Sequence, residues 1–260
     1  MTDPFKVYKD VFNSRKIILE MLEDRGFNVD HLKNYTEEEI KIMLNEHKIG
    51  KFGQIADIGP LDIFLEKNID NTEVINDKQK EKEKEKEKEK EKEKEKEKGK
   101  SDKTNEKILI KYRLDPKFKN TANLQLQISE IYEKYITNKD TLIILNNSRI
   151  LMTPGVKDKT DEEFSNSLFI GKGQFVQLFG VENFLINVNR HQFVPRHRII
   201  SKQETHELIT KYNCSIKNIP TIKRDDAQAK YIGLRPKQIC EITADNITSG
   251  ETTRYRLCVH

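Results

Sequence analysis

Apolar residues recur at helical spacing near the start of the chain, at Val11, Ile18, Leu19 and Leu22, and Gly26 stands where such a helix must stop. A second helix is announced by Thr36 with Glu39 three residues later, a capping box, followed by Ile40, Met43 and Leu44 on one face. The pattern then shortens. Residues 61–65 read Leu-Asp-Ile-Phe-Leu and residues 108–112 are nearly all apolar, so each predicts a strand. Leu124, Ile128, Ile131 and Tyr135 line one face of a helix over about 124–135, and the continuous run Leu142 to Leu145 predicts a buried strand within 141–145. A short helix is expected after Pro154 and a strand over 174–178. Beyond residue 189 the pattern predicts a helix over 201–212, boxed by Ser201 and Glu204, and a terminal hairpin of strands 238–243 and 252–259. The expected fold class is α+β with mixed α/β layers in two domains: an N-terminal α/β domain over 1–188, and a small C-terminal mixed α/β domain over 189–260 ending in a β-hairpin.

Composition changes this picture in one place. Of 260 residues, 35% are charged and 35% hydrophobic, a balance that hints at disorder, but 19 of the charges form a strict Lys-Glu alternation from Lys80 to Lys98. That run holds ten Lys and nine Glu, so removing it lowers the net charge of +4 by only one. Alternation sets opposite charges at i,i+3 but like charges at i,i+4, and the run has no apolar face to bury. Residues 79–99 are therefore expected to be a disordered, solvated insert in the connection between the first two strands, with an exposed helix or an electrostatic partner site as alternatives. The mild positive balance suits proximity to nucleic acid but falls short of a dedicated DNA-binding domain. Cys214, Cys240 and Cys258 are odd in number and widely spaced, which predicts reduced core thiols. No apolar run reaches the roughly 18 residues of a membrane span, and the N-terminus lacks a signal-peptide layout. An intracellular, membrane-free protein is expected. Heavy use of Lys, Asn and Ile suggests an AT-rich genome, as in some protists and large DNA viruses.

Candidate chemistry is sparse. His191 and His197 are separated by five residues, one of them a proline, with no third ligand nearby, so they read as structural or interface histidines and no metal is expected. Gly171-Lys172-Gly173 lacks the spacing of a phosphate loop and reads as a turn. No nucleophile-base pair or paired carboxylates mark a catalytic site, and neither a cofactor nor a small-molecule substrate is expected. Asp62 and Lys111, with Glu106 as second carboxylate, are the residues from which a nuclease-like site would have to be assembled. A free-standing DNA-binding or nuclease-like module is thus the alternative function, and a scaffold using the charged run is a third. Arg254 and Arg256 share one face of the last strand. That face suits solvent, the carboxylates of a partner protein or the phosphates of nucleic acid.

The C-terminal stretch carries four motifs in a fixed order: H-x-x-V-P-x-H at His191, Val194, Pro195 and His197; Y-x-G at Tyr231 and Gly233, followed by Arg235; T-x-G at Thr248 and Gly250; and Y-R-L at Tyr255, Arg256 and Leu257. In this order and spacing it resembles the conserved C-terminal module of the fifth-largest subunit of eukaryotic RNA polymerases, a module that in archaea stands alone as a small polymerase subunit. Upstream, Asp24-Arg25-Gly26-Phe27, Met152-Thr153-Pro154 and the stretch 184–187, expected as a strand, extend the resemblance. Two departures stand out: Asp225-Asp226-Ala227 replaces the usual Asp-Pro, and Lys237 stands where the family has Gly, a position costly for a residue with a Cβ if it takes positive φ.

The resemblance implies a non-catalytic subunit of a multi-subunit DNA-directed RNA polymerase. It implies an N-terminal jaw domain toward downstream DNA and a C-terminal assembly domain docked on the largest subunit, with other polymerase subunits as further partners. His191, Val194, Pro195, His197, Tyr231, Gly233, Arg235, Arg254, Tyr255 and Arg256 are then the expected docking residues. Thr153 and Pro154 are expected on the DNA side, with contact through the phosphate backbone, because a polymerase must pass every sequence. The expected compartment is the nucleus for a cellular polymerase, or the virion and cytoplasmic factory for a viral one.

Overall fold

The computed structural model describes residues 4–49, 57–67, 106–114, 121–146, 157–246, 248 and 250–260. The first helix, α1 (Pro4–Asp24), buries Val11, Ile18, Leu19, Met21 and Leu22 along one side. Gly26 ends it with φ 84°, and its N–H and that of Phe27 reach back to the carbonyls of Glu23 and Leu22. The second helix, α2 (Glu37–Ile49), starts on the expected box: the Thr36 N–H donates to Glu39 Oε2 at 2.8 Å, and the Glu39 N–H to Thr36 Oγ1 at 3.3 Å.

Four strands form the first sheet: β1 (Ile63–Lys67), β2 (Glu106–Arg113), β3 (Thr141–Asn146) and β4 (Phe175–Gly180), in that order across it. β1 runs antiparallel to β2 with Lys67 opposite Glu106, so the Lys-Glu run lies in the connection between two paired strands; the run itself is outside the described residues. β2, β3 and β4 are mutually parallel, which requires crossovers. Helices α3 (Thr121–Lys134) and α4 (Lys157–Lys172) make them. Strand alternation then decides the layers. Ile108, Ile110, Ile143, Leu145 and Phe179 face a core shared with α1 and α2, whereas Leu109, Leu142, Ile144, Val176 and Leu178 face Leu124, Ile128, Ile131 and Leu168 of α3 and α4. Both faces are covered, which is why these strands read as continuous apolar runs.

Two expectations need correction. The helix after Pro154 is not short: α4 has 16 residues and runs through Gly171 and Lys172. Gly173, at φ 70°, then turns the chain into β4, so the Gly-Lys-Gly step is a helix end leading into a turn. The stretch 184–187 is no strand. A 3-10 turn covers Val181–Phe184, Phe184 packs on Phe179 in the first core at 5.0 Å between ring centroids, and the Asn187 side chain accepts the Asn189 N–H to cap the next turn, Val188–Arg190. Burial of Phe184 and the Asn187 cap hold this segment in turns.

The C-terminal part has its own four-stranded sheet. Its elements are β5 (Arg196–Ile199), α5 (Lys202–Tyr212), β6 (Thr221–Lys223), α6 (Ala227–Ile232), β7 (Ile239–Asn246) and β8 (Gly250–Val259), and the strand order is β5-β7-β8-β6. α5 covers one face through Leu208 with Ile200, Ile219 and Ile239; α6 covers the other through Ala229, with Leu234, Cys240 and Cys258. The Ser201–Glu204 box caps α5 with both of its hydrogen bonds, and burial beneath α6 pushes the Cys240 thiol up to about 11. Asp226 caps α6 by accepting the N–H groups of Gln228 and Ala229, leaving Ala227 at the first helical position, where a proline is ordinarily at home. Lys237 adopts φ 73°, the left-handed conformation that favours glycine.

Candidate docking surface and interdomain seam

The H-x-x-V-P-x-H motif forms the turn that leads into β5. His191 ends the 3-10 turn Val188–Arg190; its Nδ1 accepts the Phe193 N–H at 3.3 Å and its ring lies 5.4 Å from that of Phe193. The Val194 N–H closes the turn on the His191 carbonyl, Val194 and Pro195 are half-buried, and His197 Nδ1 donates to the Pro195 carbonyl at 2.9 Å. Each imidazole is thereby engaged in shaping the turn. Around it Ile186, Val188 and Phe193 stand in solvent, Phe193 with 80% of its surface exposed, and form a contiguous stretch of chain rich in outward apolar side chains.

The terminal hairpin carries the second group. Arg254 lies opposite Ile242, Arg256 opposite Cys240, and Tyr255, on the other face, opposite Glu241. The Tyr255 hydroxyl donates to Glu241 Oε1 at 3.1 Å, while Arg198 on β5 donates from Nε and Nη2 to Glu241 Oε2 and from Nη1 to Glu204. Glu204 and Glu241 hold the Arg198 guanidinium above its usual value. Arg254 is exposed and Arg256 half-buried, on the face opposite this network. Gly250 takes φ 69° at the start of β8, in the turn that the T-x-G motif supplies.

Tyr231, Gly233 and Arg235 are placed differently: they face the N-terminal part of this chain. The Tyr231 hydroxyl donates to Asp24 at 2.7 Å. Arg25 donates to the carbonyls of Tyr231 (2.9 Å) and Lys230 (2.7 Å) and to Gln177 Oε1 (3.0 Å). These carbonyls lie at the end of α6, where a cation is favoured, and that of Lys230 also accepts the Gly233 N–H. Gly233 adopts φ 73°, and a Cβ there would sit 3.2 Å from the Arg25 guanidinium. Arg235 spans the seam to the carbonyls of Asn138 and Lys139, with Glu106 at 3.7 Å. Arg224, buried, donates to the carbonyls of Ser165 and Val176. The guanidiniums of Arg224 and Arg235 lie 4.9 and 4.8 Å from the ring centroid of Phe175, which is fully buried. Burial pulls all three arginines down, Arg25 to about 10.

The nuclease-like constellation does not assemble. Lys111 Nζ does meet Asp62 Oδ2, at 2.8 Å, but the pair is closed: the side chains are 5% and 0% exposed, Lys111 also donates to the Asp57 carbonyl, and the Tyr112 and Gly59 N–H groups occupy the Asp62 oxygens. Glu106 is five residues away on β2 and turned to the seam with Arg235. Among the described residues no group of three or more His, Cys, Asp or Glu is arranged to hold a metal ion, and no helix is long and apolar enough to cross a membrane. Thr153 and Pro154 lie outside the described residues.

Sequence reasoning missed Arg224 and treated Arg25 only as part of a corner motif. A buried arginine is rare, and nothing local in sequence separates it from a surface one. Phe193 was legible only as a motif spacer, although an aromatic residue in a turn between two motif histidines is a signal of outward apolar surface.

Residues 186–258 match the family model described as RNA polymerase Rpb5, C-terminal domain. The chain is 42% identical over 69 residues to DNA-directed RNA polymerase subunit Rpo5 of Archaeoglobus fulgidus, a match covering 26% of this chain and 91% of that protein. It is 34% identical over 84 residues to the DNA-directed RNA polymerases I, II, and III subunit rpabc1 of Dictyostelium discoideum, covering 32% of this chain and 43% of that protein. For the RPABC1 subunit of Caenorhabditis briggsae the figures are 32% over 92 residues, 34% of this chain and 44% of the relative. The match thus spans less than half of either eukaryotic relative, but nearly all of the archaeal one. The chain belongs to the RNA polymerase subunit 5 family, whose C-terminal domain it carries over residues 186–258.

Proposed function

We propose that this protein is a non-catalytic, structural subunit of a multi-subunit DNA-directed RNA polymerase. Its C-terminal assembly domain, divided from the rest at 188/189, docks on the largest subunit, and its N-terminal α/β domain forms part of the jaw around downstream DNA, with contact through the phosphate backbone. Nucleotidyl transfer then belongs to the large subunits. One observation carries the docking assignment: within the family module, the turn from His191 to Phe193, beside exposed Ile186 and Val188 in the chain, and Arg254 of the hairpin stand in solvent, with Arg256 half-buried on the same strand face as Arg254. Outward apolar and arginine side chains in one module suit a protein interface. Tyr231, Gly233 and Arg235, which have partners within the chain, support the same reading indirectly by fixing the module against the jaw domain.

The test pairs folding with assembly. Replacing Arg254 and Arg256 by Ala leaves the melting temperature within about 2 °C, as surface changes usually do. Incorporation into the polymerase, followed by co-purification with the largest subunit, falls sharply, because truncating one side of an interfacial charge pair costs roughly 2–5 kcal/mol. Full incorporation of the double variant at high salt would place both arginines on a solvated face.

A further inference from the structure

β8 is longer than the strands that flank it. It spans ten residues, Gly250–Val259, and pairs with β7 from Gly250 to Leu257, but β6 covers only Leu257, Cys258 and Val259 on its other side. On the side away from β7, seven residues, Gly250 to Arg256, therefore have no strand beside them among the described residues. Parity shows which backbone groups this leaves open. The Cys258 N–H donates to Gln238, toward β7, and the Leu257 N–H donates to Pro220, toward β6. Successive residues of a strand aim their N–H and C=O in opposite directions across the sheet. Arg256 and Arg254 thus bond to β7, while Tyr255, Thr253 and Glu251 aim their backbone groups outward.

Natural sheets shorten or cover such an edge, because an open one is a template for another strand. Seven residues exceed the ordinary strand length of about 5–6. The sequence along it, Glu-Thr-Thr-Arg-Tyr-Arg, is rich in strand-forming residues and has neither proline nor an internal glycine. Charge selects the occupant. Arg254 and Arg256 flank the edge on one face of the sheet, and residues 189–260 hold thirteen Lys and Arg against seven Asp and Glu. A strand added here gains most when its carboxylates lie opposite the two arginines, at alternate positions on one face.

We infer that the free edge of β8 is a strand-addition site for an extended segment of another polymerase subunit, carrying carboxylates at alternate positions. This inference rests on the polymerase-subunit reading and specifies how the module is held. Backbone hydrogen bonds supply the grip, and the arginines supply register and selectivity.

The test is amide hydrogen exchange of the full chain, free and within the reconstituted polymerase. The Glu251, Thr253 and Tyr255 amides exchange fast in the free chain and slow at least about tenfold in the complex, while those of Arg254 and Arg256 are protected in both. The substitution Thr253→Pro removes an outward donor without touching the β7 ladder, so the free chain keeps its melting temperature. Its dissociation from the polymerase accelerates about tenfold or more, the loss of one or more backbone hydrogen bonds at an interface. Unchanged exchange at Glu251, Thr253 and Tyr255 in a fully assembled polymerase overturns the strand-addition site while leaving the subunit reading intact. Failure of the unmodified chain to enter the polymerase removes the subunit reading itself. Concentration-dependent dimerisation of the free chain that protects the same three amides would assign the edge to a second copy and likewise overturn the inference.

Discussion

The Tyr231 hydroxyl donates to the Asp24 carboxylate at 2.7 Å across 207 residues of chain, while Arg25, one residue further on, holds the carbonyl of Tyr231 itself. Asp24-Arg25-Gly26 and Tyr231-x-Gly233, far apart in sequence, are the two sides of one contact. Gly233 is what admits the arginine: it takes a left-handed conformation, and the space a Cβ would fill is taken by the guanidinium.

Arg25→Ala should therefore destabilise the whole chain by about 2–4 kcal/mol, since it removes charge-assisted bonds to three acceptors in a half-buried seam. Gly233→Ala should cost about 1–2 kcal/mol from backbone strain alone, with more from the crowded guanidinium. Urea unfolding of the two variants checks both figures. An Arg25→Ala chain as stable as the parent would show that the two parts do not support each other through this contact.

Alkaline pH loosens the same seam. Burial, reinforced by the Asp24 carboxylate, pushes the Tyr231 hydroxyl up to about 12, and burial does the same for Tyr112. The folded chain keeps protons that the unfolded chain releases above about pH 10. Stability from these groups is thus complete below pH 10 and is lost as pH rises toward 12. Tyr231→Phe should flatten this decline in urea midpoints measured at pH 9, 10 and 11; an unchanged slope would mean that the hydroxyl is not held as described.

Lys111 on β2 and Asp62, just before β1, form a closed ion pair. Lys111→Ala leaves a buried carboxylate without its counter-charge, at a cost of about 3–5 kcal/mol. Chemical denaturation measures it directly. A loss under 1 kcal/mol would indicate that water reaches Asp62.

Lys237 occupies φ 73° between α6 and β7, a conformation that favours glycine. Lys237→Gly should stabilise the chain by about 1 kcal/mol, since the left-handed region penalises a Cβ by roughly that amount. A lower melting temperature in the variant would show that contacts of the Lys237 side chain outweigh the strain.

Much of this architecture was legible in the sequence, because its signals are local. The Thr36–Glu39 and Ser201–Glu204 boxes each satisfy helix N–H groups within four residues of chain, and the apolar runs of β2 and β3 announce strands covered on both faces. The special backbone position at Lys237 was flagged by the resemblance, and the structure does place it at φ 73°. The stretch 184–187 failed because its apolar residues serve different ends: Phe184 fills the first core, while Ile186 points to solvent. The seam was illegible because it joins side chains and carbonyls far apart in the chain, from 48 residues for Arg224 with Val176 to 206 for Arg25 with Tyr231. The same motif residues that resemble docking positions, Tyr231, Gly233 and Arg235, proved to have partners inside the chain.

Affinity purification of the tagged full chain, expressed with the other polymerase subunits, tests the central claim most directly. The account predicts that the two largest subunits co-purify with it in equal amounts and that the purified chain alone does not cleave DNA with magnesium. A chain that purifies without them, and that cuts bare DNA when magnesium is added, would contradict it.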